Sequence, residues 1–563
     1  MSEAILPSYD SAASNKRRRF LARLFEPVSI APLVQFRIAL GAILLWEAYR
    51  YLSSGWPRSL FLEPGLLFHY YGFEWVRPLP ERLHLAVFPV LGALAVCVTV
   101  GLVYRVAAVL LFFGWAYAFL LDQALYLNHL YLVTVIIGLS TVLPANRAFS
   151  IDAWMRPRLR STTVPRWTLT LLRAQVGIVY FYGGIAKLNG DWLSGVPMQL
   201  MLLDRADLIG QPAGEPIVAY AFAYGGLLFD LFIVPLLWWR RTRLFGLLLA
   251  VGFHLTNHVL FQIGIFPWFM LAATLILWPP FPLSMISFAR IYGALVLVGM
   301  LLTPLAGREV PSWSLAFVPI LIGLWTLRFW APEWLAFDVD PDPDHPAPAA
   351  DVVPTAVRPA VLALLTIYLG WQMVMPFRHL AYPGDVSWHE QGHKWSWHMK
   401  LRVKNPAEAS FFVLDQADRA IGMYRLAMGT DGFYFAPIMD PAGVGSPLSP
   451  RQSRTMVTRP DLILQFAHFL RDRYREAGME PVKVTANIQV SLNGRPPRHL
   501  VDPEADLAAV EPRLWPPAEW ILPLDEPRPR IQRFDVSQFA PATNGFDEDE
   551  SGESLLPRRE RKN

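Results

Sequence analysis

The sequence predicts a polytopic α-helical membrane domain followed by a C-terminal extracytoplasmic α+β domain that is β-sandwich-like, and three observations predict it. Of 563 residues, 53% are apolar and only 17% charged, richer in apolar and poorer in charged groups than ordinary soluble domains. Apolar segments near the length of a bilayer crossing recur through the first 377 residues. Beyond His379 the pattern changes to short alternating stretches divided by turns, the signature of strands.

Residues 1–29 read as a basic cytoplasmic N-terminus, with Lys16 and Arg17 to Arg19 ahead of the apolar region. No short apolar core leads to a small-residue cleavage site there, so no removable signal peptide is expected. Residues 30–332 read as the membrane domain, with apolar segments near 30–52, 83–103, 106–121, 129–143, 167–186, 218–238, 244–257, 262–279, 285–304 and 313–330. A Pro- and Asp-rich linker over 333–357 cannot make a packed core. A last membrane helix is expected over 358–378, giving about nine to eleven spans.

Basic residues of short loops tend to stay in the cytoplasm. Lys16 to Arg19, the run Arg147, Arg156, Arg158, Arg160 and Arg166, and the trio Arg240, Arg241 and Arg243 all fall on that side if each intervening segment crosses once. The same parity puts Asp122 to Asn128, Lys187 to Pro216, the region of Asn257 and everything after Phe377 outside.

Residues 379–535 read as the extracytoplasmic domain. Trp395 to Val403, Ser410 to Leu414, Ile421 to Leu426 and Val482 to Leu492 alternate as strands do, with turns at Asp431-Gly432 and Asn493-Gly494. Arg459 to Ala477 places Leu462, Phe466, Phe469 and Leu470 at helical spacing, as for one amphipathic helix on the sheet. Residues 536–563 mix charged and small polar groups and are expected to be disordered.

The formal charge of +4 is small for this length and gives no case for nucleic acid. A single cysteine, Cys97, excludes an intrachain disulfide and a cysteine metal cluster. The partner that the composition does imply is a lipid bilayer.

Polar groups within apolar surroundings carry what chemistry there is. Lys187, in YFYGGIAKLNGDW, either snorkels to the outer headgroups beside Asp191 and Trp192 or sits desolvated, where an amine can act as a base. Gly183 and Gly184 leave room for a close helix neighbour or a flat ligand. Asn128 and His129 open the fourth segment, either as a satisfied structural pair or as hydrogen-bond donors to a ligand. His254 and His258 stand at i, i+4 with Asn257 between them, but no HExxH glutamate accompanies them. Helix packing or a quinone-type pocket is the reading there, and no metal is expected.

Five blocks together resemble the vitamin K-dependent gamma-glutamyl carboxylase family, in its bacterial, horizontally transferred transmembrane (HTTM) type: FRIALGAILLWE, FLLDQALYLNHLYL, YFYGGIAKLNGDWLSG, FHLTNHVLFQIGIFPWFMLA and FRHLAYPGDVSWHEQGHKWSWHMKLRVK. Similarity continues through LILQFAHFLRDRY and VSLNGRPPRHLVDPEADL, so it covers most of 30–525. The resemblance implies an enzyme that deprotonates reduced vitamin K, adds dioxygen, and forms a strongly basic intermediate that collapses to the epoxide. That base removes a γ-hydrogen from a peptide glutamate, which then captures carbon dioxide. On this resemblance Lys187 is the base that activates the quinol and His129 a second catalytic group. Asn128, Tyr126, His254, Asn257 and Met399 fall to the quinol, and His393, Trp395, Trp397, His398 and Arg402 to the substrate glutamate.

The animal enzymes carry a tyrosine and an aspartate at the positions of His393 and His398, and a cysteine pair that this chain lacks. Two other functions therefore stand beside carboxylation: quinol epoxidation without carboxylation, and a non-enzymatic scaffold or transporter. The expected setting is a bacterial inner membrane, with a Glu-containing protein or peptide as substrate.

Overall fold

The computed structural model describes residues 21–261, 263–277, 353–429, 432–480 and 482–536. The segments expected at 285–304 and 313–330, most of the linker, Lys16 to Arg19, the tail from 537 and Asp431 of the expected turn lie outside these residues.

The membrane part runs through α1 (Ala31–Ser53), α2 (Glu81–Val100), α3 (Tyr104–Leu120), α4 (Asn128–Ser140), α5 (Arg166–Ala186), α6 (Pro216–Trp238), α7 (Arg243–Phe261), α8 (Phe266–Leu277) and α9 (Arg358–Val374). Among the described residues, 6 helices are long and apolar enough to cross a membrane, namely α1, α2, α5, α6, α7 and the run from Arg358 to Ala381. The helices α3, α4 and α8 are apolar but shorter. The protein is therefore an integral membrane protein, with Leu110, Phe113, Leu228, Phe232, Leu364, Ile367 and Trp371 exposed on its helices as a bilayer requires.

One end of the bundle gathers the basic loops. A two-stranded ladder joins β1 (Pro27–Ser29) to β2 (Thr163–Pro165), and Arg358 at the start of α9 lies over the Phe25 ring at 5.2 Å. Arg173 donates to the Ile276 carbonyl at 2.6 Å, which brings the end of α8 to this face. Arg37, buried at 2% exposure, donates to the carbonyls of Ala145 and Ala148 at 2.8 and 3.3 Å. A buried guanidinium must spend its donors on such partners. Beneath it the chain turns at Gly101 (φ 66°), where a Cβ would come within 2.4 Å of Ser150 Cβ, so only glycine fits. Ile276, ahead of the central stretch, and Arg358, after it, thus both lie at the basic face.

The opposite end carries the C-terminal domain. Its strands β3 (Lys404–Leu414), β4 (Ala420–Gly429), β5 (Gly432–Met439), β6 (Lys483–Leu492) and β7 (Arg498–His499) form one antiparallel sheet in the order β5-β4-β3-β6-β7. The helices α10 (Pro450–Met456) and α11 (Pro460–Glu476) accompany it, and α11 puts Leu462, Phe466 and Leu470 into one core with Phe411, Val413, Ile488 and Val490. Alternation along β6 buries every second side chain, so one face of the sheet is apolar and the helix covers it. The domain is α+β as expected, but it is not a sandwich. Among the described residues it holds a single sheet, because α11 occupies the face that a second sheet would have covered. Asn493 (φ 52°) and Gly494 (φ 77°) follow β6 as the sequence proposed.

One expected strand is absent. Trp395 to Val403 is irregular, with Trp395, Trp397 and Lys400 at φ of 64°, 58° and 51°, left-handed values that no extended strand contains. Its apparent alternation has another origin. Trp397 is wholly buried among the membrane helices, its ring 5.2 Å from that of Tyr131.

The domain is seated by polar contacts at the membrane edge. Gln452 donates to Asp122 Oδ2 at 2.7 Å and to the Leu66 carbonyl at 2.9 Å. Asp191, one residue before Trp192, accepts from both Arg495 nitrogens at 2.6 and 2.7 Å and from Asn493 at 2.7 Å. The Asp191 and Arg495 side chains are both buried, and breaking such a bidentate pair strands a charge. Replacing Arg495 by alanine is expected to destabilise the docked domain by about 3 kcal/mol. A lowered melting temperature with faster proteolysis between the last membrane helix and β3 would show this, and an unchanged melting curve would remove Asp191 from the docking role.

Candidate active site at the domain seam

The central polar group is Lys187. It caps the C-terminus of α5, is only 7% exposed, and does not snorkel. Its Nζ donates to Asp230 Oδ2 at 2.6 Å and to the Gly183 carbonyl at 3.2 Å. The Trp192 ring lies 5.5 Å from the same nitrogen. Asp230 lies in the apolar run GGLLFDLF of α6 and is buried. The sequence reading passed over it, although a lone carboxylate in a membrane helix is itself a signal of function.

The two glycines before Lys187 serve close packing. A Cβ at Gly184 would come within 2.6 Å of Leu231, and one at Gly183 would meet Asp230 Oδ2 at 3.0 Å and Met399 Cε at 3.2 Å. Met399 is thereby placed against the Lys187–Asp230 pair. Space remains on the other flank, where a Cβ at Gly226 would meet only Lys187 Cε, at 3.9 Å.

Around this pair the other candidates fall into three groups. Asn128 donates from its amide to the His398 carbonyl at 2.9 Å and accepts from the Tyr126 hydroxyl at 3.0 Å, while that hydroxyl also accepts from the Trp395 amide at 2.7 Å. Membrane helix and domain are stitched together through these side chains. His254 is buried on α7 and shares a 2.8 Å hydrogen bond between its Nε2 and the Tyr180 hydroxyl, whereas its Nδ1 has no partner among the described residues. His129 is buried in the first turn of α4, and the Phe266 ring lies 5.8 Å from it and 6.2 Å from His254. Asn257 is half-buried one turn beyond His254.

The third group belongs to the domain. Arg402 donates to His393 Nε2 at 2.8 Å and pairs with Glu390 at 2.5 Å. The His398 ring lies 4.7 Å from His379 and 5.7 Å from His393. Burial pushes the His393 imidazole well below its usual range, and the neighbouring Arg402 adds to the effect. Burial likewise holds His398 down at about 3, helped by His379, Arg402 and Lys187. Both rings are therefore neutral at pH 7. Glu390 and Arg459 were not singled out from the sequence. Arg459 Nη1 is buried with no hydrogen-bond partner among the described residues, a donor facing the same cluster as His393 and Lys394.

A small cavity of about 30 Å³ is lined by Leu44, Tyr51, Trp115, Leu130, Val133 and Ile265, with the Glu47 carboxylate among its walls. Leu130 and Ile265 adjoin His129 and Phe266 in sequence.

Comparison with known families now decides the assignment. Residues 25–280 match the HTTM domain, and residues 357–427 and 444–527 match the lumenal domain of vitamin K-dependent gamma-carboxylase. The chain belongs to the vitamin K-dependent gamma-carboxylase family. No solved structure matches it. Membership of the gamma-carboxylase family implies reduced vitamin K, dioxygen and carbon dioxide as reactants. The two matched regions meet where Asn128 reaches His398 and where Met399 reaches the turn carrying Lys187.

The depressed histidines make stability depend on pH. A group whose folded value lies below its unfolded 6.5 stabilises the fold above that pH, and the contribution is lost as pH falls from 6.5 toward about 3. The melting temperature of the gamma-carboxylase relative is expected to drop through that window, and His398→Asn to flatten the slope. An identical slope in the variant would mean that His398 titrates normally.

Proposed function

We propose that this protein is a membrane enzyme that couples conversion of vitamin K hydroquinone to its epoxide with carboxylation of peptide glutamate. The observation that carries the reading is a buried lysine, ion-paired at 2.6 Å, at the seam between a membrane bundle and the domain that covers it. The residues there suit a quinol. Lys187 supplies an amine, Gly226 leaves room beside it, His254 Nδ1 is buried with no partner among the described residues, and Asn128 and His129 stand at the same membrane edge.

Reduced vitamin K supplies the electrons for dioxygen and, through its oxygenation, the strong base that the carboxylation needs. The chain's own tasks are simpler. Lys187 takes the hydroxyl proton, and Asn128 and His129 donate hydrogen bonds to the oxyanion left behind, an effect that a dry site strengthens. Tyr126 holds Asn128 in orientation, and Tyr180 does the same for His254. Met399 walls the site on the domain side, with Asn257 further along α7 toward the membrane edge.

For the peptide half, His393, His398 and Arg402 would face the substrate carboxylate, with Arg459 as an additional donor and Trp395 and Trp397 as walls. One observation favours the second reading, quinol epoxidation without carboxylation: Arg402 is already engaged by Glu390 at 2.5 Å. A scaffold or transporter loses its ground, because it required Lys187 to face lipid or bulk water. We place the protein in a bacterial inner membrane with the sheet domain on the extracytoplasmic side, opposite the arginine-rich loops.

Purified protein given vitamin K hydroquinone, labelled carbon dioxide and a Glu-containing peptide is expected to yield both epoxide and incorporated label. Epoxide alone would select the second reading, and neither product would defeat both enzymatic ones. Lys187→Ala is expected to lower epoxide formation roughly 10²–10⁴-fold while the protein still folds and inserts. His129→Ala is expected to lower it by about 10²-fold, and an unchanged rate would return that histidine to a structural role.

A further inference from the structure

We propose that Asp230 is the destination of the quinol proton and that Lys187 relays it, so that the base is the pair and not the amine alone. This rests on the carboxylase reading of the site and goes beyond it, since that reading needs only Lys187.

Lys187 Nζ and Asp230 Oδ2 are 2.6 Å apart, with side-chain exposures of 9% and 8%. One proton belongs to the pair as it stands, carried on nitrogen as an ammonium against a carboxylate. An ammonium has no lone pair and cannot accept. A lysine held against a buried carboxylate is therefore a poor solitary base, whatever its position.

The pair can still take a proton in two linked transfers. An N–H bond of Lys187 breaks and an O–H bond forms on Asp230, leaving a neutral amine beside a neutral acid. The quinol O–H bond then breaks and a new N–H bond forms on Lys187. The sum moves one proton from the quinol oxygen to Asp230, no electrons change hands, and Lys187 ends as it began. Burial disfavours separated charge, which brings the neutral and ionised forms of such a pair close enough for the first transfer. The restored ammonium then neighbours the ionised quinol oxygen as its counter-ion.

The described groups that face this pair come from several elements. From α5, Tyr180 comes within electrostatic range of Asp230. On α7, His254 is tied to Tyr180. Thr274 of α8 contributes a hydroxyl to Tyr180. The domain brings His398 within electrostatic range of Lys187 and the uncharged Met399 against Gly183. The Trp192 ring and the Gly183 carbonyl complete the environment of the nitrogen. Asp191 is committed to Arg495 and Arg528. Among these described neighbours Asp230 is the group that can receive a proton from Lys187 over one hydrogen bond.

The test withholds dioxygen, so that no turnover occurs, and adds vitamin K hydroquinone to the detergent-solubilised protein across a range of pH. Ultraviolet absorption reports ionisation of the quinol, and difference infrared spectroscopy reports a protonated carboxylic acid. Wild type is expected to show both signals rising together. In Asp230→Asn the acid band is expected to vanish and quinol ionisation to fall about a hundredfold, whereas Asp230→Glu restores both with a displaced pH midpoint. Quinol ionisation in wild type without the acid band overturns the relay and leaves the carboxylase reading standing. Undiminished ionisation in Asp230→Asn overturns it as well. If Asp230→Asn does not fold, Asp230→Glu decides, and an undisplaced midpoint counts against the proposal. No ionisation even in wild type would defeat the carboxylase reading itself.

Discussion

The arrangement depends on keeping an ammonium and a carboxylate together where water is scarce. A single buried charge at a membrane edge costs several kcal/mol, and the chain meets that cost by placing Asp230 of α6 opposite Lys187 of α5. The pairing explains features that otherwise look unrelated. Gly183 and Gly184 let α5 and α6 approach closely enough for a direct contact. Trp192 closes the nitrogen on another side and is itself fixed by donating to the Ala223 carbonyl of α6 at 2.9 Å.

A second consequence is that the domain cannot be a loose appendage. The pair is dry only while something covers it, and the cover is the irregular stretch around Met399. That stretch holds Trp395, Trp397 and Lys400 in left-handed conformations, which cost of order 1–3 kcal/mol each and persist only where the surroundings over-determine them. The determinants are visible: the Tyr126 hydroxyl on the Trp395 amide, Asn128 on the His398 carbonyl, and Tyr131 against Trp397. The Asp191–Arg495 pair adds a further anchor four residues beyond Lys187 in sequence.

Much of the fold was legible because it follows from periodicity and length. The long apolar helices and the amphipathic α11 begin and end within a few residues of where the sequence placed them, since apolar runs and the spacing of Leu462, Phe466 and Leu470 are local signals. The parity of the arginine-rich loops likewise anticipated that Asn128, Lys187 and the sheet domain share one face. Non-local facts were not legible. A Trp-rich alternating stretch mimics a strand when nothing says that its tryptophans are anchored in another domain, and a single amphipathic helix does not announce that it replaces a second sheet. Asp230 was not legible for a simpler reason: it belongs to no motif and stands alone in an apolar helix.

The location of the pair also bears on why such chemistry would sit at a seam. A reactant carried in the bilayer and a peptide carried in water can meet only where a membrane bundle and a soluble domain touch, yet a strong base survives only where water is kept out. A site wholly within the bundle would exclude the peptide, and one wholly within the domain would exclude the lipid. The seam meets both demands if its water-exclusion is supplied by contacts that cross it. Here those contacts come from Asn128, Tyr126, Asp191 and Met399, residues that touch both halves. Loss of docking would therefore expose the Lys187–Asp230 pair to water, so the contacts that hold the halves together also keep that pair buried.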